Sequence, residues 1–404
     1  MAKKKKKWIH FRHKLIWWIF KPPFWLITKI KYRISLPRFS RRKGEQFLIL
    51  MNHQTPFDQF FMAFTFKGPI YFLGTEDIFS KGWISKLLRH FLAPIPIRKQ
   101  TADLSAVMTC LRVAKEGGTI ALAPEGNRTF TGRTEYMNPA IAMLARKLSL
   151  PIALYRIEGG YGKQPRWANT VRGGKMRAYV SRVIEPDEVK AMTDEALYDA
   201  IREGLYVDDR TETGAFPHKR RAEFLERALY TCPFCGLSDM HSEKNTFRCE
   251  RCGREFVYTE HGTFEGVGFD APYKTVADWY DYQCAYVGAR ENIPASDTPL
   301  YTDTVSFSEV VVFERKNLIA KKLTASLYHD RILLQGEGRE DTVFPFEEVS
   351  AITALGRTKI NIYRDKEVYQ LAGGDRFCGL KYVNLHYRYK NMDKESYDGK
   401  FLGL

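Results

Sequence analysis

The chain has 404 residues, an apolar content of 44% and a formal net charge of +16 at pH 7. This length exceeds what one ordinary hydrophobic core organises, so it predicts two or three domains and excludes a single small module. The positive charge favours a polyanionic partner, either nucleic acid or an anionic membrane surface. The seven cysteines do not fit a disulfide-rich secreted fold, and four of them form two Cys-x-x-Cys pairs, which indicates a metal site in an intracellular protein.

Residues 1–45 combine basic and aromatic side chains. Five consecutive lysines at positions 3–7 precede four of the seven tryptophans, namely Trp8, Trp17, Trp18 and Trp25. The apolar stretch is interrupted by Lys-Pro-Pro at 21–23 and is shorter than the roughly 20 apolar residues of a spanning helix. Tryptophan and lysine are both favoured in the headgroup layer of a bilayer, so we expect a peripheral or monotopic protein at the cytoplasmic face of the cell membrane, with anionic phospholipid as a partner. A solvated basic tail is the alternative. We do not expect nucleic acid as a partner, because phosphate binding does not need tryptophan.

Residues 46–212 alternate short apolar runs with helical segments, which predicts an α/β domain. We predict strands at residues 47–51, 70–73, 119–123, 152–157 and 176–180. We predict helices at residues 55–66, 82–91, 103–115 and 139–147, followed by a polar helical stretch at 187–203. Ligands of parallel α/β sheets bind at the carboxyl ends of the strands, so the loops that follow the strands are the candidate site.

The first of these loops reads NHQTPFD and places His53 five residues before Asp58. A histidine has an unperturbed pKa of about 6.5, and it serves as a general base when a carboxylate fixes its tautomer and stabilises the imidazolium. A simpler interpretation makes Thr55 the N-cap of a helix, Pro56 its first residue, and Asp58 a first-turn acid that bonds back to the cap. Both interpretations remain open at this point.

Two further loops bring charged residues to the same edge. The strand at 119–123 opens into APEGNRT, and the stretch PIPIRKQ carries Arg98. Arg98 and Arg128 can hold a phosphate through paired hydrogen bonds. Gly126 lets the backbone approach a ligand closely. A carboxylate does not bind phosphate directly, so we expect Glu125 to orient an arginine or a substrate hydroxyl.

Four stretches of this region, taken together, resemble a known family. NHQTPFD is similar to the NHx4D motif of the glycerolipid acyltransferases, the 1-acylglycerol-3-phosphate acyltransferase family, and APEGNRT is similar to that family's FPEGTR motif. PIPIRKQ resembles its arginine-bearing substrate loop, and LSLPIALYRIEG resembles a later block built around Val-Pro-Ile. All four occur in the family's order. Ala123 and Asn127 differ from the usual aromatic residue and threonine, which leaves the acceptor open.

The resemblance implies a glycerolipid acyltransferase that moves a fatty acyl chain from a thioester donor to the free hydroxyl of a lysophosphatidate, which yields phosphatidate. The donor it implies is acyl-CoA or acyl carrier protein. It implies catalytic roles for His53 and Asp58. It implies substrate-binding roles for Arg98, Glu125, Gly126, Asn127 and Arg128. The alternatives are acylation of another lysophospholipid or polar acceptor, and a non-catalytic scaffold that docks to a membrane or to nucleic acid.

Residues 213–262 contain a predicted helix at 219–229 and two cysteine knuckles, CPFCG and CERCG. Thirteen residues separate the two pairs, whose members are Cys232, Cys235, Cys249 and Cys252. Four thiolates at this spacing predict a closed tetrahedral zinc site with a structural role, since no coordination position stays open for catalysis. The pattern resembles a zinc ribbon.

Residues 263–300 are predicted to form a helical linker. Residues 301–404 contain short alternating segments separated by turns, and a final helical stretch at 376–389. This order of elements resembles a PH-like or GRAM-like domain, and an unrelated small β domain is the alternative. The expected architecture is therefore an α/β acyltransferase domain with an N-terminal interfacial membrane segment, a small four-cysteine zinc ribbon and a C-terminal mostly-β domain.

Overall fold

The computed structural model describes residues 7–40, 44–80, 82–97, 103–208 and 214–392. The first half of the chain is organised by a seven-stranded sheet. Its strands are β1 (Ile34–Ser35), β2 (Leu48–Met51), β3 (Ile70–Thr75), β4 (Ile95–Ile97), β5 (Thr119–Leu122), β6 (Ile152–Glu158) and β7 (Met176–Ile184). Their order across the sheet is β1-β7-β6-β2-β5-β3-β4. Strands β2 to β6 are parallel, whereas β7 is antiparallel to β6.

Helices cover both faces of this sheet. They are α1 (Phe11–Tyr32), α2 (Asp58–Thr65), α3 (Glu76–Phe79), α4 (Trp83–Phe91), α5 (Leu104–Lys115), α6 (Ala140–Leu148), α7 (Gly160–Lys163), α8 (Pro186–Ala191) and α9 (Asp194–Leu205). In β2, Leu48 and Leu50 belong to one apolar core, and Ile49 and Met51 belong to the other. A strand buried on both faces needs an unbroken apolar run, which is why the sequence predicts these strands correctly.

The predicted elements of this region form, with shifts at their ends. Helix α2 begins three residues later than expected, and β7 runs four residues further. The polar stretch at 187–203 forms two helices, α8 and α9, instead of one. Tyr32 and Ile34 are buried in the core under the sheet, so the end of the predicted interfacial segment belongs to the α/β domain.

Helix α1 runs without a break through Pro22 and Pro23, the prolines that interrupt its apolar stretch. Prolines have no backbone N–H, so the helix lacks two of its hydrogen bonds there. Packing against α2 compensates, and the ring of Phe24 stacks on Phe60 at 4.7 Å between centroids. No helix in the described part of the chain has the length and apolar character needed to cross a bilayer.

A small cysteine-bearing region follows. Strands β8 (Thr231–Cys232) and β9 (Gly236–Leu237) form a hairpin, and β10 (Met240–Glu243), β11 (Thr246–Cys249), β12 (Glu255–Tyr258) and β13 (Phe264–Gly266) form a four-stranded sheet. The helix predicted at 219–229 is wrong, since only a 3-10 turn at Leu225–Arg227 forms. Phe224 has a φ of 72°, a left-handed conformation that an α-helix does not contain, and its N–H donates to the hydroxyl of Ser242.

The segment predicted as a helical linker, residues 263–300, contains a helix and packs into the core. It contributes β13 and the helix α10 (Val276–Gly288). Trp279 of α10 is fully buried against Phe247, Phe256 and Phe264 of the four-stranded sheet.

The last part of the chain is mostly β, as predicted. Seven antiparallel strands, β14 (Tyr301–Val311), β15 (Arg315–Leu327), β16 (Arg331–Gln335), β17 (Thr342–Pro345), β18 (Val349–Leu355), β19 (Lys359–Arg364) and β20 (Glu367–Gly373), precede the helix α11 (Gly379–Asn391). The sheet order is β17-β16-β15-β14-β20-β19-β18, and α11 packs on β18 and β19. Phe130 and Trp167 of the α/β domain share one apolar cluster with Trp279 and with Leu371 of this sheet. The three parts therefore have a common core.

Candidate functional site

The predicted histidine and aspartate meet at the carboxyl end of β2. His53 lies in the loop after this strand, and Asp58 is the first residue of α2. The Nδ1 atom of His53 is 2.8 Å from Oδ2 of Asp58. The Asp58 side chain is fully buried, whereas 19% of the His53 side chain is exposed. With Nδ1 engaged by the carboxylate, Nε2 is the nitrogen that can accept a proton from a substrate.

Asp58 also organises the loop that carries the histidine. Its carboxylate accepts hydrogen bonds from the backbone N–H of Gln54 at 2.8 Å, and from the N–H and hydroxyl of Thr55 at 3.0 and 2.6 Å. Phe57, and not Thr55, is the N-cap of α2. One buried carboxylate thus bonds back to the Thr55 amide, as the capping interpretation predicts, and contacts His53, as a general base requires.

Glu125 connects the β5 loop to the histidine loop. Its Oε1 accepts from the backbone N–H of His53 at 2.8 Å, and its Oε2 accepts from the N–H of Glu135 at 2.7 Å. The backbone N–H of Thr129 in turn donates to the carbonyl of His53 at 3.0 Å. Burial raises the pKa of Glu125 well above its usual range, and the nearby carboxylates of Glu135 and Asp58 raise it further. We expected Glu125 to hold an arginine or a substrate hydroxyl, but its partners are two backbone amides, so it positions His53.

The other predicted site residues of the β5 loop lie beside this pair. Arg128 has a buried Nη1 without a hydrogen-bond partner among the described residues. Burial, and then the nearby Arg357, lower the pKa of Arg128 to about 10. Gly126 has a φ of 70°, which explains a glycine there without a ligand, and Asn127 is buried. The predicted Arg98 lies outside the described residues.

The comparison with known proteins identifies a family for this part of the chain. Residues 32–156 match the family model described as Acyltransferase. These residues form an acyltransferase domain. The match includes the histidine and aspartate of the pair and the glutamate and arginine of the β5 loop.

A solved structure that resembles the chain is the 1-acyl-sn-glycerophosphate (LPA) acyltransferase PlsC from Thermotoga maritima. The sequence identity is 21%, and the alignment covers 47% of this chain and 75% of that chain with a TM-score of 0.36. No curated protein matches the chain by sequence.

The acyltransferase domain faces the C-terminal sheet across a cleft of about 470 Å³. Pro56, from the loop between His53 and Asp58, lines this cleft together with Arg128. The opposite wall includes Arg357 and Lys359 from the turn between β18 and β19. Sequence analysis missed these two residues, because basic residues in a β-turn are common and carry no motif.

The four predicted ligand cysteines come together in the small cysteine-bearing region. All four sulfur atoms lie within 4.8 Å of one another. The Sγ atoms of Cys232 and Cys252 are 3.7 Å apart, and those of Cys235 and Cys249 are 3.5 Å apart. A tetrahedral zinc ion with Zn–S bonds of about 2.3 Å requires sulfur separations of about 3.8 Å. The cluster therefore has the size and ligand chemistry of the predicted zinc site.

Proposed function

We propose that this protein transfers a fatty acyl chain from a thioester donor to the free hydroxyl of a lysophosphatidate, which makes phosphatidate. The observation that carries the proposal is the hydrogen-bonded pair of His53 and Asp58, whose histidine is partly exposed to solvent, in a domain of the Acyltransferase family. Arg128 supports an acceptor with a phosphate, because its Nη1 is buried and has no hydrogen-bond partner within the described residues.

The mechanism uses the acceptor's own oxygen as the nucleophile. Nε2 of His53 takes the proton of the acceptor hydroxyl as the oxygen attacks the thioester carbonyl carbon. Asp58 stabilises the imidazolium that forms. The tetrahedral intermediate then expels the thiolate, which receives the proton from His53, and the products are an oxygen ester and a free thiol. Glu125 acts as a positioning residue in this scheme, since it holds the backbone of His53.

A location at the cytoplasmic face of the membrane is part of the proposal, because a lysophosphatidate resides in a bilayer. Helices α1 and α4 are in contact and both expose large apolar side chains. Trp18 is 75% exposed and Trp83 is 70% exposed. Their neighbours with exposed apolar side chains are Leu15, Ile19, Phe20, Trp25, Leu26, Ile27, Ile30, Ile84 and Leu87. Apolar side chains with nearby lysines are the combination that inserts into an anionic membrane surface.

We also propose that the cysteine cluster holds one zinc ion with a structural role. Cys232, Cys235, Cys249 and Cys252 would bind it, and such an ion stabilises the fold around it. The cluster belongs to the part of the chain between the acyltransferase domain and the C-terminal sheet, so we assign no step of the reaction to it.

The test is a product assay with purified full-length protein. Acyl-CoA and acyl carrier protein are each offered with lysophosphatidate, other lysophospholipids and monoacylglycerol, and the lipids are identified by mass spectrometry. We expect phosphatidate from lysophosphatidate, and no product from His53→Ala. The control is His261→Ala, which removes an exposed histidine in the connection between β12 and β13.

Three results would change the conclusion. Acylation of a different lysophospholipid or another polar acceptor would replace the substrate but keep the mechanism. Full activity of His53→Ala would refute the general-base role. A protein that transfers no acyl chain but binds nucleic acid with strong salt dependence would favour the scaffold alternative.

A further inference from the structure

The cleft between the acyltransferase domain and the C-terminal sheet is strongly cationic. Its walls carry Arg128, Arg227, Arg357 and Lys359, and among the described lining residues Asp375 is the one carboxylate. Arg227 already donates to the backbone carbonyls of Asp375 and Trp167 at 2.6 and 2.7 Å. Its role is structural. The other three cations are available to a ligand.

Two of these cations are half-buried, and each has one buried nitrogen without a hydrogen-bond partner among the described residues. Nη1 of Arg128 and Nε of Arg357 are both inaccessible to solvent and have no hydrogen-bond partner within the described residues. No ion pair joins either arginine to a described carboxylate, although the pair is close enough for Arg357 to disfavour the charge on Arg128. Two neighbouring guanidinium groups that are partly withdrawn from water repel each other, and an anion between them would relieve this repulsion and accept the unused N–H groups.

A third arginine fixes the two walls relative to each other. Arg166 is buried, and its Nη1 donates to the carbonyl of Arg128 at 2.9 Å. Its Nη2 and Nε donate to the carbonyls of Ala354 and Gly356 at 3.0 and 3.1 Å. One side chain thus ties the loop of Arg128 to the turn that carries Arg357, so the spacing of the two cations is set by the fold.

We propose that the turn between β18 and β19 completes the acceptor site of the acyltransferase domain, and that Arg357 and Lys359 bind the phosphate of the acceptor together with Arg128. This inference rests on the proposed function and assigns the headgroup specificity of that site to the C-terminal sheet. A phosphate monoester carries a charge of about −1.5 to −2 and three acceptor oxygens, which suits two or three cationic donors. A headgroup without phosphate leaves the two guanidinium groups unneutralised, so the cleft selects against it.

A phosphate group in the cleft could also belong to the donor, because coenzyme A carries phosphates. The position of the cleft favours the acceptor. Pro56 lines it and lies between His53 and Asp58 in the chain, and Asp58 is near enough to favour the charge on Arg128. A phosphate held there lies beside the loop that carries the proposed general base.

The kinetic test compares the wild type with Arg357→Gln, Arg357→Lys and Arg339→Gln. Arg339 is the matched control, since it lies between β16 and β17 at the opposite edge of the same sheet and is exposed. Loss of a charge-assisted contact with phosphate should raise KM for lysophosphatidate by roughly tenfold or more in Arg357→Gln. We expect kcat to change less than about twofold, because this contact persists from ground state to transition state, and we expect an unchanged KM for the donor. Arg357→Lys should recover part of the affinity, and activity on monoacylglycerol should not fall.

A second measurement does not depend on turnover. Glycerol 3-phosphate is titrated into each full-length protein in a calorimeter, and thermal unfolding confirms that each variant folds. The wild type and Arg339→Gln should bind it more tightly than Arg357→Gln by roughly tenfold. If no lysophospholipid is acylated but this difference in binding persists, the proposed function fails and the anion site stands. Equal acceptor KM and equal glycerol 3-phosphate affinity in the wild type and Arg357→Gln, or a rise in the donor KM alone, would overturn the inference.

Discussion

Replacement of Asp58 by asparagine separates the hydrogen bonds that this carboxylate accepts from the negative charge that it carries. Oδ2 of Asp58 faces three N–H donors, from His53, Gln54 and Thr55, whereas Oδ1 faces the Thr55 hydroxyl at 2.6 Å and, at 3.1 Å, the Thr55 N–H as well. An asparagine can therefore place its oxygen at the Oδ2 position and donate its amide to the hydroxyl. This arrangement keeps the contacts of Oδ2 and the tautomer of His53, and it removes the negative charge and the two hydrogen bonds that Oδ1 accepts from Thr55.

The expected loss of activity follows from that charge. At a separation of about 4 Å and an effective dielectric constant of about 20, a carboxylate and an imidazolium attract each other by about 4 kcal/mol. If this attraction is absent from the transition state, the rate falls by a factor of about 10³. The loss of stability should be smaller, about 1–3 kcal/mol, because the three N–H groups that face Oδ2 keep an acceptor and the bonds to Oδ1 alone are changed.

The assay measures kcat with saturating acceptor and donor, together with urea unfolding, for Asp58→Asn and for Thr55→Val. Thr55→Val is the control, because it removes the hydroxyl that donates to Oδ1 and leaves the contact of Oδ2 with His53. It should destabilise the protein by a similar amount and leave kcat within about threefold of the wild type. If Asp58→Asn were destabilised in the same way but kept wild-type kcat, Asp58 would be a structural residue alone and the proposed base would lack its partner.

Three further predictions concern other parts of the molecule. Elemental analysis should find about one zinc per chain. The double variant Cys232→Ser, Cys249→Ser should lose both the metal and the fold of the small cysteine-bearing region, and retention of zinc by this variant would contradict the prediction. Trp18→Ser and Trp83→Ser should each weaken co-sedimentation with anionic vesicles at every salt concentration, because salt does not screen the insertion of apolar side chains. Unchanged sedimentation would place the membrane contact elsewhere. Burial lowers the pKa of His386 to about 4. This pKa in the folded state lies below the value of about 6.5 in the unfolded state. The contribution of His386 to the free energy of unfolding is therefore complete above pH 6.5, and it decreases by roughly 3 kcal/mol as the pH falls to 4. We expect the free energy of unfolding, measured with denaturant, to fall less between pH 7 and pH 4.5 in His386→Asn than in the wild type. An equal fall in the two proteins would show that His386 does not cause the pH dependence.

The sequence predicts the α/β region well because its signals are local. The strands β2 and β5 are continuous apolar runs, and the residues of the site follow directly at their ends, so the pair of His53 and Asp58 is visible without a structure. The cysteine cluster is visible for the same reason, since four ligands at regular spacing leave few alternatives.

The errors arise where tertiary contacts decide the local structure. Residues 219–229 have a helical composition, but Phe224 adopts a left-handed conformation because its amide bonds to Ser242 in the neighbouring sheet. The role of Glu125 was misjudged because its partners are backbone amides, which no side-chain pattern reveals. Sequence analysis does not identify Arg166 and Arg357, because the residues that surround them in the structure are far away in the sequence. A single arginine in a turn also has no periodic pattern that would single it out.

The contacts of Arg166 also determine when the cleft can form during synthesis of the chain. The carbonyl of Gly356 that it binds lies 190 residues later in the sequence. At translation rates of about 5–20 residues per second, the ribosome needs on the order of 10–40 s to reach that partner after it has passed the arginine. During this interval the nascent acyltransferase domain has its histidine and aspartate but not the second wall of the cleft. Acceptor selection would thus begin only when the last strands have been synthesised and docked, so a prematurely terminated chain would keep the elements of the base and lose its discrimination between lipids.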